Sequence, residues 1–229
     1  MATFGLIHGA GDVGWYWHLV QAELARRGHD SVAPDLPCTD DSAGLAEYAD
    51  TMAGALAGRP DVIVVGQSLG GFVAPLVCDR LPVRLLVLVA PMIPAPGEPP
   101  AGYTAATGYD DEPRERYDDP IAVFYQDVPP ELAAEALKRS PGQSEARMAE
   151  PSPLAAWPAV PTKVLLCRDD RMFPAPYVRR VARDRLGITP DEIDGGHTPA
   201  LSRPAELAER LAGYAAEQGL SATGTRPPG

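Results

Sequence analysis

The sequence predicts an α/β fold: a mostly parallel six-stranded sheet with helices on both faces and a helical cap insertion. Three observations predict it. Short apolar runs alternate with longer amphipathic stretches along most of the 229 residues. The strongest runs are continuous in Val and Leu, the pattern of strands buried on both faces rather than one. A single Pro-rich interval interrupts the rhythm, as an insertion between two halves of a core does.

The elements follow in order. Residues 4–7 form the first predicted strand, and 30–34 a weaker one that leads into Asp35-Leu36-Pro37. Residues 61–66, 85–90 and 163–167 are the strong central strands, and 188–193 is a poor sixth. Helical patterns occupy 17–27, 45–57, 69–80, 177–185 and 204–218. Strand–helix alternation implies parallel pairing through right-handed crossovers. Between Pro91 and Pro161 lie 14 of the 26 prolines and no strong strand. Two short helices are predicted there, at 119–127 and 130–139, the second opened by Pro-Glu. The chain therefore divides into a core of residues 1–92 and 160–218, a cap over 93–159 and a small, polar, flexible tail over 219–229.

Composition narrows the function classes. Net charge is −11 with a sequence pI near 4.8, so nucleic acid and anionic lipid are not expected partners. No stretch approaches the ~20 apolar residues of a membrane span. The first residues lack the basic segment and apolar run of a secretory leader, so the cytoplasm is the expected compartment. Cys38, Cys78 and Cys167 are odd in number and far apart. They read as reduced, mostly buried residues, with no metal and no cofactor implied.

The sharpest motif is Gly66-Gln67-Ser68-Leu69-Gly70, followed by Gly71, between a strand and a helix. A Gly-x-Ser-x-Gly turn in that setting forces the serine into a strained conformation that its neighbours tolerate only without side chains. It lifts the hydroxyl clear of the sheet beside a helix N-terminus. Upstream, His8-Gly9-Ala10-Gly11 follows the first strand. That loop and the residue after the serine nominate the backbone N–H groups of Ala10 and Leu69 as an oxyanion hole. Gly9, Gly11 and Gly14 also satisfy a dinucleotide fingerprint, with Asp35 near the place of a ribose-binding acid. Trp15 and Trp17 would crowd a pyrophosphate at that helix start, and the serine turn would then have no role.

Of four histidines, His197 lies latest, after Asp194-Gly-Gly and before the final helix, at the sheet edge where ligands collect. The acid is sought in Arg168-Asp-Asp-Arg171, after the penultimate strand. Asp170 is favoured and Asp169 remains the alternative. The order Ser68, Asp170, His197 is that of the α/β-hydrolase fold.

The stretch His8-Gly-Ala-Gly-Asp-Val-Gly-Trp-Tyr-Trp17 resembles the plant methylesterase and hydroxynitrile lyase family, as does Gly28 to Leu36. The likeness spans roughly residues 3–92 and 162–213 and is poor in the cap. It implies a six-stranded α/β-hydrolase core and two possible chemistries. The family's lyases carry a threonine where this chain has Gly9 and a lysine where it has Thr198, so the resemblance implies the esterase side. Gln67 stands where a histidine is usual, in a buried position where Gln can fill a polar role. Members often dimerise through the cap, making a homodimer an expectation. The reading is a serine hydrolase acting on a small carboxylic ester or thioester. The alternative is a non-hydrolytic member, either a small-ligand receptor or a lyase. Gly9, Trp17, Phe124 and Trp157 are the candidate substrate contacts. Tyr103, Tyr109 and Tyr125 either join them or glue the cap to the core.

Overall fold

A computed structural model describes residues 1–112 and 118–221. Six strands form one sheet: β1 (Thr3–Ile7), β2 (Asp30–Val32), β3 (Val62–Gln67), β4 (Leu85–Val89), β5 (Thr162–Cys167) and β6 (Asp191–Ile193). Their order is β2-β1-β3-β4-β5-β6 and every pairing is parallel. Register runs through Ile7 opposite Gly66, Val64 opposite Leu86 and Val89 opposite Leu165. The sheet is thus wholly parallel. The sixth strand is shorter than predicted, because Pro190 cannot donate to a ladder.

Each central strand feeds two cores. Along β3, Val62 and Val64 join one cluster while Ile63 and Val65 join the other. The first cluster takes Tyr48 and Met52 from α2 (Leu45–Leu56), Phe72 and Val73 from α3 (Gly70–Val77), and Tyr177 and Val181 from α7 (Ala175–Leu186). The second takes Val20 and Leu24 from α1 (His18–Arg26) and Leu207 and Leu211 from a helix over Pro204–Glu217. This two-sided burial is why the strands lack polar alternation. The helix predicted over 69–80 is regular only to Val77. Pro75 has no N–H to give, and residues 78–80 continue with bonds three residues back.

Among its described residues the insertion carries four short segments: a 3₁₀ turn (Pro100–Gly102), α4 (Tyr103–Ala106), α5 (Pro120–Phe124) and α6 (Pro130–Arg139). Two helices follow α7 in the core, the short α8 (Pro199–Ser202) and the long α9, the helix over Pro204–Glu217. Tyr103 and Tyr109 do not face a ligand site. They pack edge-on against Phe173 inside the first core, so this part of the insertion is glue. The ion pair of Arg185 with Glu98, only 16% and 8% exposed, fastens it further. At the other end, Gly219 turns the chain with φ +73° and Leu220 is buried, its N–H on the Ala215 carbonyl. Residues 219–221 are therefore docked, unlike the free tail predicted from Gly219; residues 222–229 lie outside the described residues.

The chain leaves β1 to one side for β2 and later returns to β1's other side as β3. The crevice at the carboxyl ends of β1 and β3 is the switch point where ligands bind in such sheets. The residues following those strands are His8 and Ser68.

Candidate active site

The turn after β3 holds Ser68 at φ +51°, left-handed backbone that L residues avoid without compensation. Its glycines are needed for space. A Cβ on Gly66 would lie 2.4 Å from the Gly70 carbonyl oxygen, one on Gly70 2.9 Å from that of Ile7, and one on Gly71 2.0 Å from that of Met92. The Ser68 N–H is held by the Val89 carbonyl, and its own carbonyl accepts from Gly71 and Met92. Strain is thereby over-determined by the surroundings.

His197 and Asp170 meet across the sheet edge. Nδ1 of His197 lies 2.8 Å from Asp170 Oδ2, with both side chains buried. The other oxygen of Asp170 accepts from the N–H groups of Met172 and Phe173 at 2.8 and 2.9 Å. Asp169 is exposed instead, its carboxylate reaching only the Gly195 N–H at 3.3 Å. Geometry thus places Asp170, and not Asp169, against the histidine. Phe124 and Phe173 stand edge-on to the imidazole, at 5.5 and 5.4 Å between centroids. Arg168, next to Asp169 in the chain, bonds to Glu192 and Asp194.

The loop after β1 is equally constrained. His8 donates from Nδ1 to the Gly9 carbonyl at 2.8 Å and accepts the Leu36 N–H at Nε2. Burial lowers its pKa, and both ring nitrogens are committed to the neutral form, so His8 is structural. The Ala10 and Leu69 amides make no backbone hydrogen bond among the described turns and loops. Gly9 has no room for a side chain: a Cβ would lie 2.6 Å from Gln67 Oε1 and 3.1 Å from Ser68 Cβ. Gln67 in turn donates from Nε2 to the His197 carbonyl, tying the serine turn to the histidine loop. The dinucleotide resemblance has a local cause. Asp35 accepts the Gly14 N–H at 2.7 Å, and a Cβ on Gly14 would strike the Ala33 carbonyl.

Ser68, His197, Ala10, Leu69, Gly9 and Phe124 all border one cavity of about 700 Å³. Trp17 and Trp157 do not. Trp17 is fully buried in the second core, edge-on to Tyr16 at 5.0 Å. Trp157 packs on the first core and donates to Thr162 Oγ1. Both corrections have one reason: a tryptophan in a helix start or before a strand is used for its buried area, and nothing local aims it at a ligand. Tyr125 does border the cavity.

Sequence reasoning missed four further groups. Asp12 borders the cavity with Oδ1 on the Val13 N–H, and burial raises its pKa to about 6. Ser140 and Gln143, just after α6, both bond to Gly11: Ser140 Oγ to its carbonyl, Gln143 Oε1 to its N–H at 3.2 Å. Asp127 accepts the Gly196 N–H at 2.9 Å. Only Asp12, inside the Gly-rich loop, carried a signal that could have found it. Among the described residues no group of three or more His, Cys, Asp or Glu could hold a metal, the cysteines are free, and no helix is long and apolar enough to cross a membrane.

Comparison with known proteins agrees with this fold. The chain is 27% identical to Methylesterase 7 of Arabidopsis thaliana over an alignment covering 91% of this chain and 94% of that protein. It is 35% identical to Probable esterase PIR7A of Oryza sativa subsp. indica over 108 residues, a match that spans only 41% of the rice protein and 42% of this chain. Among solved structures, polyneuridine aldehyde esterase superposes with a TM-score of 0.75 at 19% identity, covering 93% of this chain and 98% of that one. A pyrethroid hydrolase from Sphingobium faniae JZ-2 superposes with a TM-score of 0.75 at 24% identity, covering 94% and 97%. The family model described as "Alpha/beta hydrolase family" matches residues 6–210, and the chain belongs to that family.

Proposed function

We propose that the protein hydrolyses a hydrophobic carboxylic ester or thioester through Ser68, His197 and Asp170. The observation that carries this reading is the buried 2.8 Å contact between Asp170 and His197, with His197 and the strained Ser68 bordering the same cavity. With Nδ1 bound to Asp170, Nε2 is the ring nitrogen left to act as base. It takes the Ser68 proton as Oγ attacks the acyl carbon. The oxyanion that forms is met by the Ala10 and Leu69 amides, each worth ~3 kcal/mol in such holes. His197 passes the proton to the leaving alcohol, and water then attacks the acyl-enzyme by the reverse relay.

The cavity informs the substrate. Among the described residues no Lys or Arg borders it, whereas Asp12 and Glu145 do, amid Met92, Phe124, Met148 and Phe173. A neutral or cationic apolar ester suits such walls, and a carboxylate-bearing one does not. Two of its relatives are named as an esterase and a methylesterase. Two features weigh against cyanohydrin cleavage: Gly9 leaves no space for a hydroxyl-bearing residue, and Thr198 Oγ1 is spent on the Phe124 carbonyl at 2.6 Å.

A fluorophosphonate probe tests the mechanism. It should label wild type at Ser68 and fail on Ser68→Ala; equal labelling of both would refute it. Turnover of p-nitrophenyl acetate accompanies labelling if the reading holds.

A further inference from the structure

The loop that carries His197 is held by the cap. Residues 124–127, the last residue of α5 and the turn after it, touch that loop on both sides of the histidine. Asp127 Oδ2 accepts the Gly196 N–H at 2.9 Å, and the Phe124 carbonyl accepts the Thr198 hydroxyl at 2.6 Å. Gln126 Nε2 donates to the carbonyl of Asp169, next to the acid. The fit is tight. A Cβ on Gly195, whose φ is +101°, would lie 2.6 Å from Asp127 Oδ2, and one on Gly196 2.9 Å from Oδ1. The paired glycines are therefore there to admit the carboxylate of Asp127, not to loosen the loop. Gly195 and Gly196 are both buried, so the Gly196 amide has no solvent alternative to Asp127.

We propose that Asp127 is a positioning residue for His197, fixing the loop so that the imidazole meets Asp170 and Ser68 at the reacting distance. The inference rests on the hydrolase reading above. Asp127 touches no reacting atom; it acts through the Gly196 amide. The requirement is for an acceptor at Oδ2 and not for a charge, since the bonded partner is a neutral N–H. Displacements on the ångström scale at a catalytic base cost about 10- to 100-fold in rate.

The test compares wild type, Asp127→Ala and Asp127→Asn, whose amide oxygen still accepts the Gly196 N–H. In Asp127→Ala, kcat on p-nitrophenyl acetate should fall about 10- to 100-fold with KM little changed, whereas Asp127→Asn should stay near wild type. Amide hydrogen exchange across residues 194–198 should quicken in Asp127→Ala only, with thermal melting still cooperative. Unchanged kcat in Asp127→Ala overturns the proposal. So does equal impairment of Asp127→Asn, or unaltered exchange. If wild type itself neither turns over ester nor labels at Ser68, the hydrolase reading fails, and the exchange measurement still decides whether Asp127 holds the loop.

Discussion

Asp170 divides its two oxygens between His197 and the chain itself: Oδ2 faces Nδ1 at 2.8 Å, while Oδ1 takes the amides of Met172 and Phe173. The carboxylate is thus aimed by the turn that follows it, and it aims the imidazole in turn. Asp170→Asn should retain the amide bonds but present the wrong group to Nδ1. A fall in kcat of about 10⁴-fold is expected for loss of the correct tautomer. Asp169→Asn should leave kcat near wild type. Steady-state kinetics on one ester decides between the two neighbours.

Gly9 is closed to side chains by Gln67 and Ser68. Gly9→Thr should therefore displace Gln67 and with it the bond to the His197 carbonyl. A destabilisation of about 1–3 kcal/mol is expected for overpacking at such a site, read as a lower urea midpoint. Esterase activity should fall, and Gly9→Thr with Thr198→Lys should not release aldehyde from a cyanohydrin.

Asp12 makes stability depend on pH in a stated direction. Its folded pKa is raised to about 6 from an ordinary 3.8, chiefly by burial, so the fold favours the protonated carboxyl. The stabilisation it contributes is complete below about pH 4 and is lost as pH rises through about 6, a swing of up to about 3 kcal/mol. Asp12→Asn keeps an acceptor for the Val13 N–H without the charge. Its Tm should exceed that of wild type at about pH 7.5 and match or fall below it at about pH 4. A constant difference between the two pH values would contradict the assignment.

The charge of the cavity wall makes a separate claim on substrates. Asp12 and Glu145 border it, and among the described residues no Lys or Arg does. For a matched pair, a dialkyl diester and its half-acid, kcat/KM should favour the diester by about tenfold or more at neutral pH. Asp12→Asn with Glu145→Gln should narrow that gap, mainly through the half-acid. A half-acid that is turned over as well as the diester would count against this view of the pocket.

Ser68 was legible from the sequence because its constraint is steric and local: the glycines at 66, 70 and 71 are demanded by carbonyls two to three ångströms away. His197 was legible by its place after the last strand. Asp170 against Asp169 was not, because which side chain turns inward depends on one peptide unit of a turn. The two tryptophans failed for a different reason. Trp17 and Trp157 are apolar in an apolar context, and burial in a core and exposure to a cavity look alike in one dimension. Asp127, Ser140 and Gln143 were silent because each acts on a backbone group more than 60 residues away, and a backbone amide leaves no mark in a sequence.

Those three residues bear on how the specificity of this protein is open to change. The insertion that lines much of the cavity also grips Gly11 in the loop after β1 and Gly196 next to His197. Cap and core are consequently not interchangeable modules. A chimera that receives a relative's cap inherits its pocket but forfeits the bonds that hold its own Gly11 and His197 loops, unless acceptors and donors equivalent to Asp127, Ser140 and Gln143 travel with it. Drift in the cap is in this way tethered at a few polar points while its apolar walls stay free to vary.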